Sequence, residues 1–415
     1  MPKGTPIHHY QYNKQRIQYV TPSSTDFHSL RSIFAHPEIL PSAILRPASI
    51  QDIQATITFL AEQKIPFTIR SGGHDMHGRS TQPDTVVLDI RRINSVMVNL
   101  ESGTATIGGG ALVGNVVGTL QGEGFVTPVG SLSWVGYVGW AMYGGYGPYS
   151  ARLGLGVDQI LGARLANARG ELVEADKDLL KGIRGARGAF GVVVEVTVSI
   201  YKLDQILAGV VMYNSEDLTM VIRQYYEGYR ALTAEGLPAP FQVHQAVLNM
   251  PTPTFGVLFV LAPVMAQTVQ LSTPAAWLEE ADKLVAKTTQ GRMWTITMRQ
   301  ITDEVVQVIA QYTKNMPADP HKLFDMHELR GGSPSARPNQ DSVFSTHEPH
   351  FVFEIFCEAL EKTSADNIVP TSYLPFLTAE EVDHDQVFGD NLEILRGLKG
   401  KLDPKNVFRA AISYL

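Results

Sequence analysis

The spacing of hydrophobic and polar positions changes along this chain and separates it into two kinds of text. In SIQDIQATITFLAEQ, residues 49–63, apolar residues recur every three to four positions and predict a helix. Short β-branched runs follow, TVVLDI (85–90), SVMVNL (95–100) and TATIGG (104–109), each bounded by turn residues, and predict strands. Beyond Leu203 the pieces lengthen. ILAGVVMY (206–213), the runs around HQAVLNM (244–250) and TFGVLFVLA (254–262), RMWTITMRQ (292–300) and HFVFEIF (350–356) read as strands. SEDLTMVIRQYYEGYRAL (215–232) and TPAAWLEEADKLVAK (273–287) read as helices, the second entered through Thr273 as N-cap and Pro274 in the first turn. The first stretch predicts an α+β domain, and the second an antiparallel sheet with covering helices. ELRGGSPSARPNQDS (328–342) reads as a loop, and no internal repeat or low-complexity tract interrupts the pattern.

Composition narrows the class. A chain of 415 residues exceeds what one core usually supports, so two domains are expected. With 44% apolar and 18% charged residues it reads as a globular chain, and no apolar run approaches the ~20 residues of a membrane span. The N-terminal MPKGTPIHHYQYNKQ lacks the apolar core of a secretory signal, which sets a cytoplasmic expectation. Cys357 is the one cysteine, which excludes an internal disulfide framework and any cysteine-based metal cluster. A net charge of -7 offers no electrostatic footprint for nucleic acid, so the expected partner is a small molecule.

Two glycine clusters carry the chemistry. In TIRSGGHDMHGRS (68–80), Gly72 and Gly73 follow a strand-like run and allow backbone N–H groups to converge on an anion, although such a pair is also an ordinary tight turn. In VGSLSWVGYVGWAMYGGYGPYSARLGLGVD (129–158), Gly130, Gly136, Gly139, Gly144, Gly145 and Gly147 recur too densely for a packed helix and let backbone approach a large planar ligand. IGGGALVG (107–114) is not a dinucleotide fingerprint, because its spacing is GxGxxxG and no suitable strand, helix and acidic residue surround it.

Together these residues resemble the vanillyl alcohol oxidase and p-cresol methylhydroxylase superfamily, specifically its berberine bridge enzyme-like flavin oxidases. PSAILRPASIQDIQATITFLAEQKIPFTIRSGGHDMHG (41–78) resembles the family's entry to the flavin domain. VGYVGWAMYGGYGPYSARLGLGVDQILGARLANARGELVEA (135–175) resembles its central glycine-rich signature, and GIRGARGAFGVVVEVTV (182–198) and LRGLKGKLDPKNVF (395–408) resemble later motifs. The resemblance implies an FAD-binding domain at 1–202, a substrate domain with a large antiparallel sheet at 203–384, and a C-terminal segment, 385–415, returning to the first. It implies FAD held by Arg70, Ser71, Gly72, Gly73 and His74, by Gly130, Ser131, Val135, Gly136, Gly139, Gly144, Gly145 and Tyr146, and by Val193 and Asn391. His74 matches the histidine that the family joins to the flavin, and a neutral imidazole is a competent nucleophile near pH 7. Leu132 stands where bicovalent relatives carry a cysteine, so a single attachment is expected. Phe388 replaces a frequent tyrosine, removing a hydroxyl that could polarise substrate.

Flavin oxidation usually needs a base beside the substrate. In HFVFEIF, alternation places His350, Val352, Glu354 and Phe356 on one face and Phe351, Phe353 and Ile355 on the other. Glu354 is thus a carboxylate within an apolar strand, read either as the base or as a carboxylate paired with an arginine such as Arg299 or turned to solvent at a sheet edge. Tyr373 is the second candidate, and His350 would orient Glu354 or cap the strand. The expected activity is oxidation of a small aromatic or polycyclic natural product, with hydride passing to flavin N5 and O2 as reoxidant. A redox-neutral flavoprotein cyclase is the alternative. A weaker alternative, against the expectation of no metal, is a metalloenzyme built on the His74/His77 and His347/His350 pairs.

Overall fold

The computed structural model describes residues 17–213, 217–249, 253–261, 270–289, 294–316, 323–355, 360, 362–371, 377 and 381–411. The first sheet has the order β1-β2-β4-β3, from β1 (Gln18–Val20), β2 (Ala43–Arg46), β3 (Phe67–Arg70) and β4 (Val86–Asp89). β2, β4 and β3 are parallel, so the chain must cross over between β2 and β3, and the helix Ile50–Glu62 does so. Ser49 caps that helix by accepting the Asp52 N–H. Its Ile53, Ile57 and Leu60 face Leu45, Phe67, Val86 and Leu88, each fully apolar burial contributing about 1.5–3 kcal/mol. Because β3 ends at Arg70, the Ser71–His74 turn emerges at the carboxyl end of the parallel strands, where open α/β sheets present ligand sites.

The second sheet is antiparallel, in the order β5-β6-β10-β8-β9, from β5 (Val96–Asn99), β6 (Thr104–Gly108), β8 (Ile160–Ala166), β9 (Leu172–Glu174) and β10 (Val192–Ser199). A short ribbon pairs β7 (Phe125–Val126) with β11 (Tyr201–Lys202). The glycine-rich segment runs between β7 and β8 and contains the short helix Tyr137–Met142.

The third sheet has seven antiparallel strands in the order β15-β12-β14-β13-β17-β18-β16. These are β12 (Ile206–Tyr213), β13 (Phe241–Asn249), β14 (Pro253–Leu261), β15 (Gln270–Ser272), β16 (Trp294–Met298), β17 (Leu323–Leu329) and β18 (His350–Ile355). Helices Leu218–Glu235 and Asp303–Lys314 cover one face, where Ile222, Tyr226, Val305 and Ile309 pack with Val243, Phe324, Met326 and Phe353. On the other face Leu329 and Val352 pack with Tyr146, Leu155 and Val157 of the glycine-rich segment. Over the described side chains, His350 to Glu354, the expected alternation is realised, Phe353 facing the helices and His350, Val352 and Glu354 facing the first half of the chain. Thr273 caps its helix through the Ala276 N–H, with Pro274 in the first turn, as expected.

Two expectations need adjustment. Neither β17 nor the helix Asp303–Lys314 is among the elements expected from the sequence. The C-terminal helix Leu392–Leu402 turns Leu392, Leu395 and Leu398 inward, but Lys399, expected on a solvated face, is buried too. Its Nζ donates to the Ala189 carbonyl and to Asp403, both at 2.8 Å, and so ties the C-terminal segment to the turn before β10. No helix among the described residues is long and apolar enough to cross a membrane.

Candidate active site

A cavity of about 360 Å³ lies between the glycine-rich loops and the uncovered face of the seven-stranded sheet. One wall is the turn after β3. Asp75 holds this turn by accepting the N–H groups of His77 and Arg79 at 2.9 and 2.8 Å and pairing with the Arg79 guanidinium at 3.0 Å. Burial alone would raise the Asp75 carboxyl, but Arg79, Arg187 and the two N–H donors hold it below its ordinary value. Ser71, Gly72, Gly73 and His74 line the cavity from this turn. A second loop supplies Gly130, Ser131, Leu132, Val135, Gly136 and Gly139. The two loops touch through backbone: a Cβ at Gly72 would lie 2.2 Å from the Gly136 nitrogen, and one at Gly136 would lie 2.7 Å from the Gly72 nitrogen. Only glycine permits that approach.

His74 stacks on Phe34 with ring centroids 4.1 Å apart. Burial lowers its pKa to about 3, so the imidazole is neutral. His74 Nε2, Ser71 Oγ and Ser80 Oγ are all shut from solvent with no hydrogen-bond partner, and their residues all line the cavity. Unpartnered buried polar atoms are costly, and three on one wall are accounted for by a polar ligand. With the closely set glycine backbones, they fit a dinucleotide cofactor such as FAD.

The opposite wall is polar, whereas the helix-covered face of the sheet is apolar apart from the buried Gln245 and Glu328. His244 on β13, Asp325 and His327 on β17 and Glu354 on β18 all line the cavity. The register puts His244 opposite His327 and Asp325 opposite Glu354. The two imidazoles stack with centroids 4.4 Å apart, and His244 Nε2 hydrogen-bonds Asp325. Ser131 Oγ lies 3.4 Å from His244 Nδ1, joining the glycine-rich loop to the sheet. Glu354 lies 3.7 Å from His327 Nε2. Burial, and then the neighbouring Asp325 charge, push the Glu354 carboxyl well above its ordinary range. Asp325 goes the other way: burial opposes its ionisation, but His244, His327 and the Met326 N–H outweigh it. Burial, then His244, lowers His327 to about 4 against the pull of Asp325.

His350 stands one step behind this wall. Its Nδ1–H donates to the Glu348 carbonyl at 2.6 Å, and burial lowers its pKa to about 4. The neutral ring therefore presents Nε2 as an acceptor, and the Tyr146 hydroxyl, 2.7 Å away, donates to it. Tyr146 lines the cavity, so His350 sets the tilt of a cavity tyrosine instead of orienting Glu354.

The other expected site residues divide. Val193 lines the cavity. Arg70 does not: its guanidinium donates to the carbonyls of Leu30 and Ser32, anchoring the turn from behind. Gly144 and Gly145 have positive φ, and a Cβ on either would strike Phe344 or Gly156, so they serve packing outside the cavity lining. Asn391 sits at the entry to the C-terminal helix, also outside the lining. Arg299 binds the Asp366 and Ile368 carbonyls and approaches Glu348, so it does not pair with Glu354. Phe388 is buried in the apolar core. Tyr373, Phe356 and Cys357 lie outside the described residues. The two HxxH pairs do not converge, since His347 is held by Asp158 and both His350 nitrogens are engaged. Among the described residues, the one grouping of three potential metal ligands is His244, Asp325 and His327, which the sequence analysis did not single out. Arg187 was also missed; buried and at positive φ, it stacks over the Tyr143 ring at the cavity edge.

Fold and cavity together define a flavoprotein oxidoreductase. The family model described as "FAD binding domain" matches residues 41–176, and that described as "Berberine and berberine like" matches residues 375–413. The chain is similar to the berberine bridge enzyme-like FAD-linked oxidoreductases. It is 29% identical to the FAD-linked oxidoreductase aurO of Gibberella zeae over 95% of this chain and 84% of that one. The fold is shared with xylooligosaccharide oxidase from Myceliophthora thermophila, solved with xylobiose, at a TM-score of 0.81 and 19% identity, covering 99% of this chain and 100% of that one. It is shared too with glucooligosaccharide oxidase from Acremonium strictum, described with a 6-S-cysteinyl, 8α-N1-histidyl FAD, at a TM-score of 0.75 and 18% identity, covering 94% and 95%.

Proposed function

We propose that the chain is an FAD-dependent oxidase of a small aromatic or polycyclic molecule. One observation carries the reading: a single cavity joins the Ser71–His74 wall, with its unpartnered polar atoms, to a sheet wall bearing Glu354. When bound, FAD supplies the hydride acceptor and, through O2, the exit for the electrons. Ser71, His74 and the glycine backbones at 72, 136 and 139 would hold it. Phe34, Trp140, Tyr143 and Tyr146 give the cavity ring-bearing walls that suit a flat apolar substrate. Glu354, with Asp325 beside it, is the group placed to take a proton from a substrate O–H or N–H.

His74 is the proposed single point of flavin attachment. Its neutral ring, its packing on Phe34 and its unpartnered Nε2 support that role, and the Leu132 side chain on the cavity wall offers no thiol for a second bond. Acid-precipitated protein should keep its yellow colour, and His74→Ala should release the flavin; fully extractable FAD from the unmutated protein would remove the attachment claim.

The raised Glu354 carboxyl favours keeping a second reading, because a carboxyl that gives up its proton less readily than usual can also serve as an acid in a redox-neutral cyclisation. Anaerobic mixing with candidate metabolites separates the two. An oxidase substrate bleaches the flavin in step with product formation, whereas turnover with the flavin still oxidised selects the cyclase.

A further inference from the structure

We infer that His244, Asp325 and His327 bind one divalent cation of the zinc or manganese type on the sheet wall of the cavity. One ligand atom from each residue lies within 4.8 Å of the other two. The arrangement follows from the register: β13 and β17 are adjacent, and His244, His327 and Asp325 project from the same face. His244 Nε2 hydrogen-bonds one Asp325 oxygen, and His327 Nε2 lies 3.8 Å from the other. Glu354 stands 3.7 Å from that same His327 nitrogen. Donor atoms about 2.1 Å from a shared ion stand roughly 3–4 Å apart, so these spacings need little adjustment to close on one.

Charge points the same way. Asp325 and Glu354 are cross-strand neighbours, and the ion pairs of both are with histidines; among the described residues neither meets a lysine or arginine. Two carboxylates on one face of a sheet lack a permanent counter-charge, and a divalent ion supplies it. Two imidazole nitrogens and a carboxylate oxygen suit zinc, manganese, iron or cobalt and do not suit calcium or magnesium, which prefer oxygen alone. Ser131 approaches the other nitrogen of His244, the kind of outer contact that orients a ligating ring. On binding, the ion replaces the proton between His244 and Asp325, which leaves to solvent.

All three side chains border the cavity, so an ion held by them keeps a position open toward it. If the cavity takes substrate, as the proposed function has it, that position selects a substrate bearing an oxygen donor, a hydroxyl, carbonyl or carboxylate, and sets it beside Glu354.

The test is calorimetric titration of ZnCl2 and of MnCl2 into FAD-loaded protein stripped with chelator, with elemental analysis of the protein before stripping. The expected result is one ion per chain, with affinity falling at least about tenfold in His327→Gln and in Asp325→Asn but unchanged in His28→Gln, a surface histidine. Unfolding midpoints and flavin absorbance confirm that the variants are folded. Absence of saturable uptake up to about 1 mM ion overturns the inference, as does uptake that both folded site variants retain. Protein that fails to bind added FAD yet takes up one ion would count against the flavin reading and leave the cation site standing.

Discussion

Lys399→Met tests how the C-terminal segment is secured to the flavin domain. Lys399 is 6% exposed and Asp403 1%, so their 2.8 Å contact is a buried ion pair. Methionine keeps the apolar stem and removes the charge, leaving the Asp403 carboxylate without its cation and the Ala189 carbonyl without its donor. Breaking a buried pair from one side costs about 3–5 kcal/mol. Asp403 keeps the N–H groups of Val407 and Phe408, at 2.7 and 2.9 Å, so the lower end applies. A loss of about 3 kcal/mol is roughly a hundredfold in the ratio of folded to unfolded chain. Ala189 lies beside Gly188, which lines the cavity, so flavin should also dissociate at lower denaturant concentration. Urea unfolding followed by tryptophan fluorescence and by flavin release measures both effects. Adding Asp403→Asn to Lys399→Met should recover part of the loss, because the amide oxygen still accepts from backbone without a stranded charge. A single variant within about 1 kcal/mol of the parent would show that water or a relaxed helix end already compensates the pair, and the reasoning would fail.

Glu354→Gln keeps shape and removes basicity, and should slow anaerobic flavin reduction by roughly 10²- to 10⁴-fold at normal FAD content; an unchanged rate moves the assignment to Tyr373. Gly72→Ala places a Cβ 2.2 Å from the Gly136 nitrogen and should part the two loops, so the purified variant should show a reduced ratio of flavin to protein absorbance; full flavin content would show that the loops can separate at little cost. For His350 the folded pKa, about 4, is below the ordinary 6.5, so the unfolded chain binds the proton first and stability falls as pH drops from about 6.5 toward 4. His350→Gln should remove roughly 1 kcal/mol from the change in stability between pH 6.5 and 5.5, read from urea midpoints at those two pH values, and parallel slopes would mean that the ring is already charged in the native protein.

Much of the fold was legible because its signals are local. The helix Ile50–Glu62 shows its period and its cap, Thr273-Pro274 marks a helix start, and the strands facing both a core and a cavity alternate in the open. The glycine clusters were legible as well, but not their division of labour. Gly72 and Gly136 bring two loops into backbone contact at the cavity, while Gly144 and Gly145 make room for Phe344 and for Gly156 away from it. Sequence spacing cannot distinguish a glycine that faces a ligand from one that faces another part of the chain. Arg70 illustrates the same limit: the resemblance implied that it holds FAD, and its guanidinium is engaged by two carbonyls from the preceding segment.

The polar wall was harder to see, for a physical reason that β17 makes plain. In LFDMHEL, Phe324 and Met326 face the helices while Asp325 and His327 face the cavity, so the strand averages to indifferent hydropathy and never stands out as a run. Glu354 stands out within the apolar run of Phe353, Ile355 and Phe356, whereas Asp325, between Phe324 and Met326, is followed closely by the polar His327 and Glu328. Yet the two carry the same alternation, and pairing places them side by side. The signal available was joint: three strand segments, each carrying at least one polar residue on the same alternating face, HxA in β13, DxH in β17 and HxVxE in β18. A one-sided polar stripe on one buried strand is a cost, and the same stripe on three paired strands is a surface that water, protons, an ion or a substrate must satisfy. That common requirement joins Glu354, Asp325 and the two histidines into one site before any ligand is named.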